Sequence, residues 1–336
     1  MPAEWAPHER TWMMWPRRAE VWDDIGATRR NYAAVAHAIR DFEALTMVVH
    51  PQDRAQARSL LGGDIEVLEH PIDDSWARDA GPCFLRNAKG DVTGVSFEFN
   101  AWGGKYAPFD GDNSVADAIL SATGIPGFRS DLVAEGGGIS VDGDGTILST
   151  LSCFPNANRN PDWSLNDIED ELKQMLGGEK VIWLPGNHEE TETDGHVDGV
   201  AVFAAPGVVL IQDAGSKDHP WHHIHAANIA AIEGQTDAKG RKLQLIRLPD
   251  ASAVQPMDGP EICDSYVNFY ICNGAVIAPK YGIREDGVVQ DILQDAFPDR
   301  DIVMVDIPYI ATGGGGIHCI TQQQISAVAQ TGRDAG

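Results

Sequence analysis

Apolar and polar positions along the chain follow two periods, one typical of strands and one typical of helices. Short apolar runs such as residues 45–49 predict buried strands. Residues 28–43 instead carry an apolar residue at every third or fourth position, which predicts a helix with one buried face. The four positions are Tyr32, Val35, Ile39 and Phe42. A second helical pattern over 165–176 begins after a good N-cap, Ser164, and ends at Gly177.

Turn signals join the strand-like segments into hairpins. Asn273-Gly274 lies between 266–272 and 275–278, and such a dipeptide suits the positive φ angles of a tight turn. The order hairpin, helix, strand recurs from end to end, although the residues do not match at any fixed period. No linker rich in Pro, Gly or Ser divides the chain. The pattern therefore predicts a single α/β domain over 1–336, built of internally repeated units.

The charge balance narrows the class of partner. The 336 residues include 25 Lys+Arg against 50 Asp+Glu, a net charge of −25. This acidity disfavours nucleic acid and anionic membrane surfaces. No apolar run approaches the roughly 20 residues that span a bilayer. A cationic small molecule is compatible with the charge, which could equally serve only to keep the protein soluble.

The N-terminus and the cysteines favour a cytoplasmic protein. Residues 1–18 lack the basic start and apolar stretch of a signal peptide. The five cysteines are too few and too scattered for a disulfide framework, and no two have the CxxC spacing of a zinc ribbon. They are Cys83, Cys153, Cys263, Cys272 and Cys319. Core packing is the favoured interpretation for all but Cys319.

Cys319 follows four glycines, 313–316. Consecutive glycines let a backbone approach a ligand closely, and their N–H groups can lower a thiol pKa. The alternative is a glycine-rich turn beside an inert cysteine.

Residues 193–199 (TDGHVDG) form a second candidate. If this segment is extended, its period of two puts His196 and Asp198 on one face. A histidine beside a carboxylate is a plausible general acid or base. The alternative is a surface turn.

Two acidic segments could hold a cation. Residues 73–82 (DDSWARDAGP) offer carboxylates, among them Asp79, beside the aromatic ring of Trp76. Glu135 precedes three glycines and could lie beside a closely approaching backbone. The alternatives are a solvated loop in which Arg78 pairs internally, and a plain turn.

Two further motifs, a histidine-rich stretch and the glycine runs, favour a structural role over metal or nucleotide binding. His219, His222, His223 and His225 crowd one stretch, and His219 and His223 have helical metal-ligand spacing, but no acidic ligand lies among them. A helix start is favoured over a metal site. The runs 136–138 and 313–316 match neither a P-loop nor a GxGxxG fingerprint, so nucleotide binding is disfavoured.

Taken together and in order, these segments resemble the agmatine deiminase family of the guanidino-group-modifying superfamily. The bacterial peptidylarginine deiminases are similar in the same places. The matching stretches are 1–5 (MPAEW), 7–9 (PHE), 76–82 (WARDAGP), 99–104 (FNAWGG), 135–137 (EGG), 158–161 (NRNP), 193–199 (TDGHVDG), 265–270 (SYVNFY) and 313–324 (GGGGIHCITQQQ). They span nearly the whole chain.

The resemblance implies a fold and a set of roles. The fold would be a five-bladed α/β propeller (pentein) of pseudo-fivefold ββαβ-type repeats with a central active site. Cys319 would be the nucleophile and His196 the general acid/base. The catalytic carboxylates around the substrate would be Asp79, Glu135 and Asp198, and Trp76, Glu192 and Asn268 would also bind substrate. No metal and no cofactor is expected.

The activity implied is the hydrolysis of agmatine to N-carbamoylputrescine and ammonia through an amidino adduct on Cys319. Deimination of free or peptidyl arginine, amidino transfer and non-catalytic guanidine or polyamine binding stay open. Two features depart from the family pattern: Gly316 stands where these enzymes usually have Asn, and the stretch 249–262 is short. A homodimer or a higher homo-oligomer is possible.

Overall fold

A computed structural model describes residues 1–214, 217, 220–254 and 262–327. Its strands alternate with helices along the chain, as the sequence pattern predicts. The strands are β1 (His8–Met14), β2 (Leu45–Val49), β3 (Glu66–Glu69), β4 (Cys83–Arg86), β5 (Val92–Glu98), β6 (Gly127–Val133), β7 (Ser140–Val141), β8 (Thr146–Thr150), β9 (Lys180–Leu184), β10 (Ala201–Ala205), β11 (Val208–Asp213), β12 (Gln244–Pro249), β13 (Tyr270–Cys272), β14 (Ala275–Lys280), β15 (Asp301–Asp306) and β16 (Thr321–Ile325).

The longer helices lie between the strands, and several single turns of helix precede strands. The helices are α1 (Ile25–Arg40), α2 (Arg54–Leu61), α3 (Ala77–Ala80), α4 (Ala101–Gly104), α5 (Asp110–Asn113), α6 (Val115–Thr123), α7 (Leu165–Leu176), α8 (His222–Ile232), α9 (Glu285–Ala296) and α10 (Pro308–Ala311). Helix α7 confirms its prediction: the Ser164 side chain and Asp167 form a reciprocal capping box, and Gly177 ends the helix in the left-handed region.

Within the described residues the strands form five sheets, and the sheets share one plan. Four of them contain an antiparallel pair followed by a parallel third strand: β4-β5-β6, β7-β8-β9, β10-β11-β12 and β13-β14-β15. A helix lies between the second and third strands in each, because a parallel connection needs a crossover. The predicted rhythm of hairpin, helix and strand is this repeated unit.

The fifth sheet joins the two ends of the described chain. Its order is β16-β1-β2-β3, with β16 antiparallel to β1 and the other pairs parallel. The register pairs Thr11 with Gln323 and Met13 with Thr321. The hairpin-like pair of this unit is therefore assembled from segments more than 300 residues apart.

Helix α1 shows how the sheets bury their apolar faces. Tyr32, Val35 and Ile39 have no exposed surface, as the apolar period predicts, whereas Phe42 lies beyond the helix end. These side chains pack in one cluster with residues of β1, β2 and β14, among them Met13 and Ile277. Within the described residues, no helix is long and apolar enough to cross a membrane.

Candidate active site

All the candidate site residues except Glu192 come from five turns, each of which stands just before the first strand of one sheet, and Glu192 lies in the segment that leads into the third of these turns. Trp76 and Asp79 lie at α3, before β4, and Glu135 precedes a 3-10 turn at Gly136–Gly138, before β7. His196 and Asp198 lie at the 3-10 turn Val197–Gly199, before β10, whereas Asn268 precedes β13 and Cys319 precedes β16. Equivalent positions of the repeated unit thus carry the polar side chains.

The thiol of Cys319 is held between an amide and a carboxylate. Asn268 Nδ2 donates to Cys319 Sγ over 3.1 Å, and Asn268 Oδ1 accepts from the Cys319 backbone N–H. The Sγ atom lies 3.5 Å from Asp198 Oδ2. Burial, followed by the carboxylates of Asp198 and Asp79, raises the pKa of the Cys319 thiol well above 9.0. The raised pKa favours the thiol form of the sulfur at neutral pH.

His318, next to Cys319, also contacts Asp198, and no separate role for it was predicted from the sequence. Its Nδ1 lies 2.7 Å from Asp198 Oδ2. Burial raises the pKa of Asp198, but the hydrogen bond and charge of His318 outweigh it and lower that pKa below its ordinary value. Asp198 is therefore an ionised carboxylate although it is buried.

His196 faces two carboxylates, but Asp198 is not the partner of its ring nitrogens. His196 Nδ1 lies 3.8 Å from Asp79 Oδ1, and Nε2 lies 3.5 Å from Glu135 Oε2. Burial opposes a charge on His196, but Asp79, then Cys153 and Glu135, raise the pKa of its imidazole well above 6.5. The expected extended segment is wrong: a 3-10 turn follows His196 and turns Asp198 toward His318.

Glu135 lies behind His196. Its carboxylate is fully buried and accepts from Arg159 Nε over 2.8 and 3.1 Å. Burial opposes ionisation, but Arg159 lowers the pKa of Glu135 below its ordinary value. Arg159 also donates to Asp194 and to the Thr193 carbonyl, which fixes the segment that precedes His196. Glu135 thus contacts His196 and Arg159, and its role as a carboxylate around the substrate stays a prediction.

Asp79 is fixed at the edge of an aromatic wall. Its Oδ2 accepts from Trp102 Nε1 over 2.9 Å, and its Oδ1 accepts from the Gly137 N–H over 3.0 Å. Burial raises the pKa of Asp79, and the carboxylates of Asp198 and Glu135 add to the rise against the opposing charge of His196. Trp76 stands edge-on to Trp102, with ring centroids 6.5 Å apart.

The glycine run before Cys319 lets these side chains approach the backbone. A Cβ at Gly315 would lie 2.2 Å from the Trp76 ring, and one at Gly316 would lie 2.5 Å from Asn268 Oδ1. Neither distance is possible without displacing the neighbour. The amide near the nucleophile is thus supplied by Asn268, beside the position where Gly316 departs from the family pattern.

Two recesses meet at Cys319. A cavity of about 250 Å³ is lined by His196, Asp198 and Asn268, among others. A narrow recess is lined by Trp76, Asp79, Trp102 and Tyr106. Glu192 lines both recesses, and its Oε2 accepts from the Tyr106 hydroxyl over 2.6 Å. The arrangement offers a planar cation two carboxylates and a nucleophile at one end and an aromatic, acidic recess at the other.

The interpretation of 73–82 as a solvated loop is wrong, because Asp74, Trp76 and Asp79 are buried. Arg78 does pair internally, although not with Asp79. It donates to Gln323 Oε1 over 2.8 Å and lies 3.7 Å from Glu4. Its guanidinium is directed away from both recesses.

All five cysteines are free, but they are not alike. Cys83 and Cys272 pack in the core as expected. Cys263 is half-buried and lines the larger cavity, so the packing interpretation is wrong for it. Cys153 also packs in the core, as expected, and its Sγ lies 3.9 Å from Glu135 Oε2.

Among the described residues, Glu135, Cys153 and His196 have ligand atoms within 4.8 Å of one another, close enough for a metal ion. The Arg159 charge on Glu135 opposes a second cation there, and the absence of a metal stays a prediction. In the histidine stretch, α8 begins at His222, and the exposed His223 pairs with Glu189. His219 lies outside the described residues, as do 255–261 of the short stretch 249–262.

The comparisons with known proteins identify the family of the chain. The sequence profile of the Porphyromonas-type peptidyl-arginine deiminases matches residues 1–324. The chain belongs to this family. It is 42% identical to an agmatine deiminase of Pseudomonas aeruginosa, over 96% of this chain and 95% of the relative. A Stutzerimonas stutzeri agmatine deiminase is 41% identical, with the same coverage of 96% and 95%.

A solved agmatine deiminase structure matches the fold closely. The agmatine deiminase of Enterococcus faecalis superimposes with a TM-score of 0.94 and 37% identity, over 98% of this chain and 96% of that one. The resemblance seen in the sequence motifs is therefore confirmed, and so is the α/β class of fold.

Proposed function

We propose that this protein hydrolyses agmatine to N-carbamoylputrescine and ammonia, with Cys319 as nucleophile. The observation that carries the proposal is the convergence of the Cys319 thiol, the Asp79 and Asp198 carboxylates and His196 on one buried point. A guanidinium is planar, permanently charged and rich in donors, so paired carboxylates can hold and orient it. The agmatine deiminases among the relatives support the choice of substrate.

The charge of the substrate explains how a thiol with a raised pKa can react. The negative charges of Asp79 and Asp198 raise the pKa of the Cys319 thiol and so favour its protonated form. A bound guanidinium cancels these negative charges, so the thiol loses its proton to solvent more readily. Asn268, which donates to Sγ, stabilises the resulting thiolate.

The reaction then proceeds in two halves. The Cys319 thiolate attacks the guanidino carbon, and His196, charged at neutral pH because its pKa is raised, protonates the departing ammonia. An amidino group remains on the sulfur. Neutral His196 takes a proton from water and becomes an imidazolium again, and the hydroxide adds to the amidino carbon. This adduct collapses to the ureido product and frees Cys319, with the hydroxyl proton passing to the sulfur. Glu135 and Arg159 hold His196 in place.

The narrow recess supports a substrate with a second cation. Glu192, Trp76 and Tyr106 suit an ammonium group. Among the described residues that line the two recesses there is no Lys or Arg to bind an α-carboxylate. We therefore propose agmatine in preference to free arginine.

The test compares ureido product formed from agmatine, free arginine and a peptide with C-terminal arginine. The peptide is included as a substrate because the family is named for the deimination of peptidyl arginine. Ammonia and ureido product without an added amine would exclude amidino transfer. Agmatine binding without any turnover would instead indicate a binding protein. Inactivity on all three substrates overturns the agmatine proposal.

The covalent step has its own test. The protein is mixed with agmatine and the reaction is stopped during turnover. Mass spectrometry should then show an amidine adduct on the peptide that contains Cys319. Cys319→Ser should abolish turnover while leaving the far-UV circular dichroism unchanged. Near-normal deimination by this variant would contradict the scheme.

We also infer that the five sheets are the blades of a single-domain α/β propeller with the site at its axis. The five site turns, each before the first strand of a sheet, support this arrangement. An experimental structure with strands arranged otherwise would refute it. We further propose a cytoplasmic location, because five unpaired thiols suit a reducing compartment. Fractionation of the source cells tests the location.

A further inference from the structure

A chain of three side chains lies behind Cys319: Asp198 and His318 are buried, and Glu4 is partly exposed. His318 and Glu4 have no role in the reaction steps proposed above. His318 Nδ1 lies 2.7 Å from Asp198 Oδ2, and His318 Nε2 lies 2.8 Å from Glu4 Oε2. His318 is 3% exposed and Asp198 is 1% exposed, and the Glu4 side chain is 17% exposed. The same Asp198 oxygen lies 3.5 Å from Cys319 Sγ. The chain therefore connects the N-terminal segment to the reacting sulfur.

Donor counting assigns the protonation of His318. An ionised carboxylate only accepts hydrogen bonds, and a neutral imidazole has one donor nitrogen. Both ring nitrogens face a carboxylate oxygen at hydrogen-bond distance, so both contacts are satisfied together when His318 is an imidazolium. Burial and the Arg78 charge oppose this state, whereas Glu4 and Asp198 raise the pKa of His318.

Glu4 is itself held from two other sides. Its Oε1 accepts from the Ile271 N–H over 2.8 Å, and its Oε2 lies 3.7 Å from Arg78. Burial opposes ionisation, but the charge and hydrogen bond of His318, together with Arg78, lower the pKa of Glu4 to about 2. Glu4 therefore presents a permanent negative charge to His318 over the working pH range.

Other charges also act on Asp198. His196 and Arg78 favour its ionised form, in addition to His318. Asp79 and the Cys319 sulfur oppose it, since each interacts with Asp198 as a like charge when ionised. His318 makes the hydrogen bond, so it also fixes the direction in which the carboxylate points.

We propose that Glu4 and His318 are positioning residues, which keep the Asp198 carboxylate ionised and aimed at the guanidinium. The inference rests on the proposed function, in which Asp198 binds that group. Glu4 holds His318 as an imidazolium, and His318 holds Asp198. Neither touches the substrate.

The test is the pH profile of kcat/KM for agmatine in Glu4→Gln, which keeps the shape of Glu4 and removes its charge. Asp198 should then ionise at higher pH, so kcat/KM at pH 6 should fall about tenfold and recover to within about threefold at pH 8.5. The matched control is Glu43→Gln. Glu43 forms another buried pair, 3.2 Å from His8 Nδ1, outside both recesses. A loss equal at all pH values, or the same shift in Glu43→Gln, overturns the proposal.

A second measurement needs neither a variant nor turnover. In ¹⁵N-histidine spectra of the intact protein, His318, assigned through its neighbours Ile317 and Cys319, should keep the imidazolium pattern at pH 8. A neutral His318 at that pH overturns the proposal even if agmatine is hydrolysed. An imidazolium in a protein that deiminates nothing supports the chain of contacts and refutes the proposed function alone.

Discussion

The ion pair between Arg159 and Glu135 allows a sharp test of how the site is held together. Both side chains are fully buried, and the closest N–O distance is 2.8 Å. We expect Arg159→Met to destabilise the fold by about 3–5 kcal/mol, because the buried Glu135 carboxylate loses its ion pair and keeps only His196, 3.5 Å away, as a charged neighbour. Asp194 and the Thr193 carbonyl lose donors as well, but Asp194 keeps contact with Lys105 and Asn158.

The double variant separates the charge from the lost hydrogen bonds. In Arg159→Met with Glu135→Gln no unpaired charge remains, so the cost should fall to about 1–3 kcal/mol. The double variant should therefore be more stable than Arg159→Met alone. A coupling of this sign is expected only for residues that interact directly.

The pH dependence of Arg159→Met follows from the same contact. Arg159 lowers the pKa of Glu135 in the native protein, and without it burial should raise that pKa above 4.5, the value for an exposed group. A folded-state pKa above the unfolded value means that stability is lost as pH rises. Arg159→Met should therefore be closer to wild type at pH 5 than at pH 8.

Urea unfolding followed by circular dichroism measures these differences. The matched control is Arg129→Met, since Arg129 and Glu98 form an ion pair at 2.6 Å with 46% and 38% of their side chains exposed. Its loss should cost no more than about 1 kcal/mol. The reasoning is refuted if Arg159→Met costs no more than Arg129→Met, or if the two substitutions at Arg159 and Glu135 simply add.

Three shorter predictions concern the thiol, a glycine and the N-terminal segment. Iodoacetamide should modify Cys319 slowly at pH 7 and faster above pH 9.0, because its thiol pKa is raised; peptide mass spectrometry that shows a flat rate contradicts this. Gly137→Ala should fold but lose most turnover, since its Cβ would lie 2.5 Å from His196 Nδ1 and 2.8 Å from Asp79 Oδ1; full activity counts against this packing. The pKa of Glu4 falls from 4.5 to about 2 on folding. Because a difference of one in pKa corresponds to about 1.36 kcal/mol, the ionised Glu4 should add about 3 kcal/mol to the free energy of unfolding at pH 7. That contribution is lost as pH falls from 4.5 toward 2, so wild type and Glu4→Gln should differ in urea at pH 7 and converge near pH 2.

Local patterns predicted the elements well, because caps, turns and apolar periods act within a few residues. The capped helix α7 and the Asn273-Gly274 hairpin are of this kind. The glycine run 313–316 predicts that other groups approach its backbone closely. In the structure these groups are the side chains of Trp76 and Asn268, whereas the prediction was of a ligand.

Contacts between distant turns could not be predicted from spacing. Asp198 is two residues from His196 in the chain, yet the His196 ring nitrogens face Asp79 and Glu135, which lie 117 and 61 positions earlier. The contacts of His318 could not be predicted either, because its partners Asp198 and Glu4 are distant in the sequence and the motif at 317–319 indicates a role only for Cys319. Family resemblance implied a set of site residues whose roles stay predictions, and the fold shows which of them contact one another.

The fifth sheet has a consequence for biosynthesis. Because β1 pairs with β16, and Glu4 contacts His318, the last-made part of the described chain must return to the first-made part. Cys319 lies directly before β16, so a nascent chain lacks both the proposed nucleophile and the strand that places it until residues 319–325 have been made. A chain that ends before residue 319 should therefore have no deiminase activity, and truncation of β1 or β16 should abolish the activity rather than reduce it.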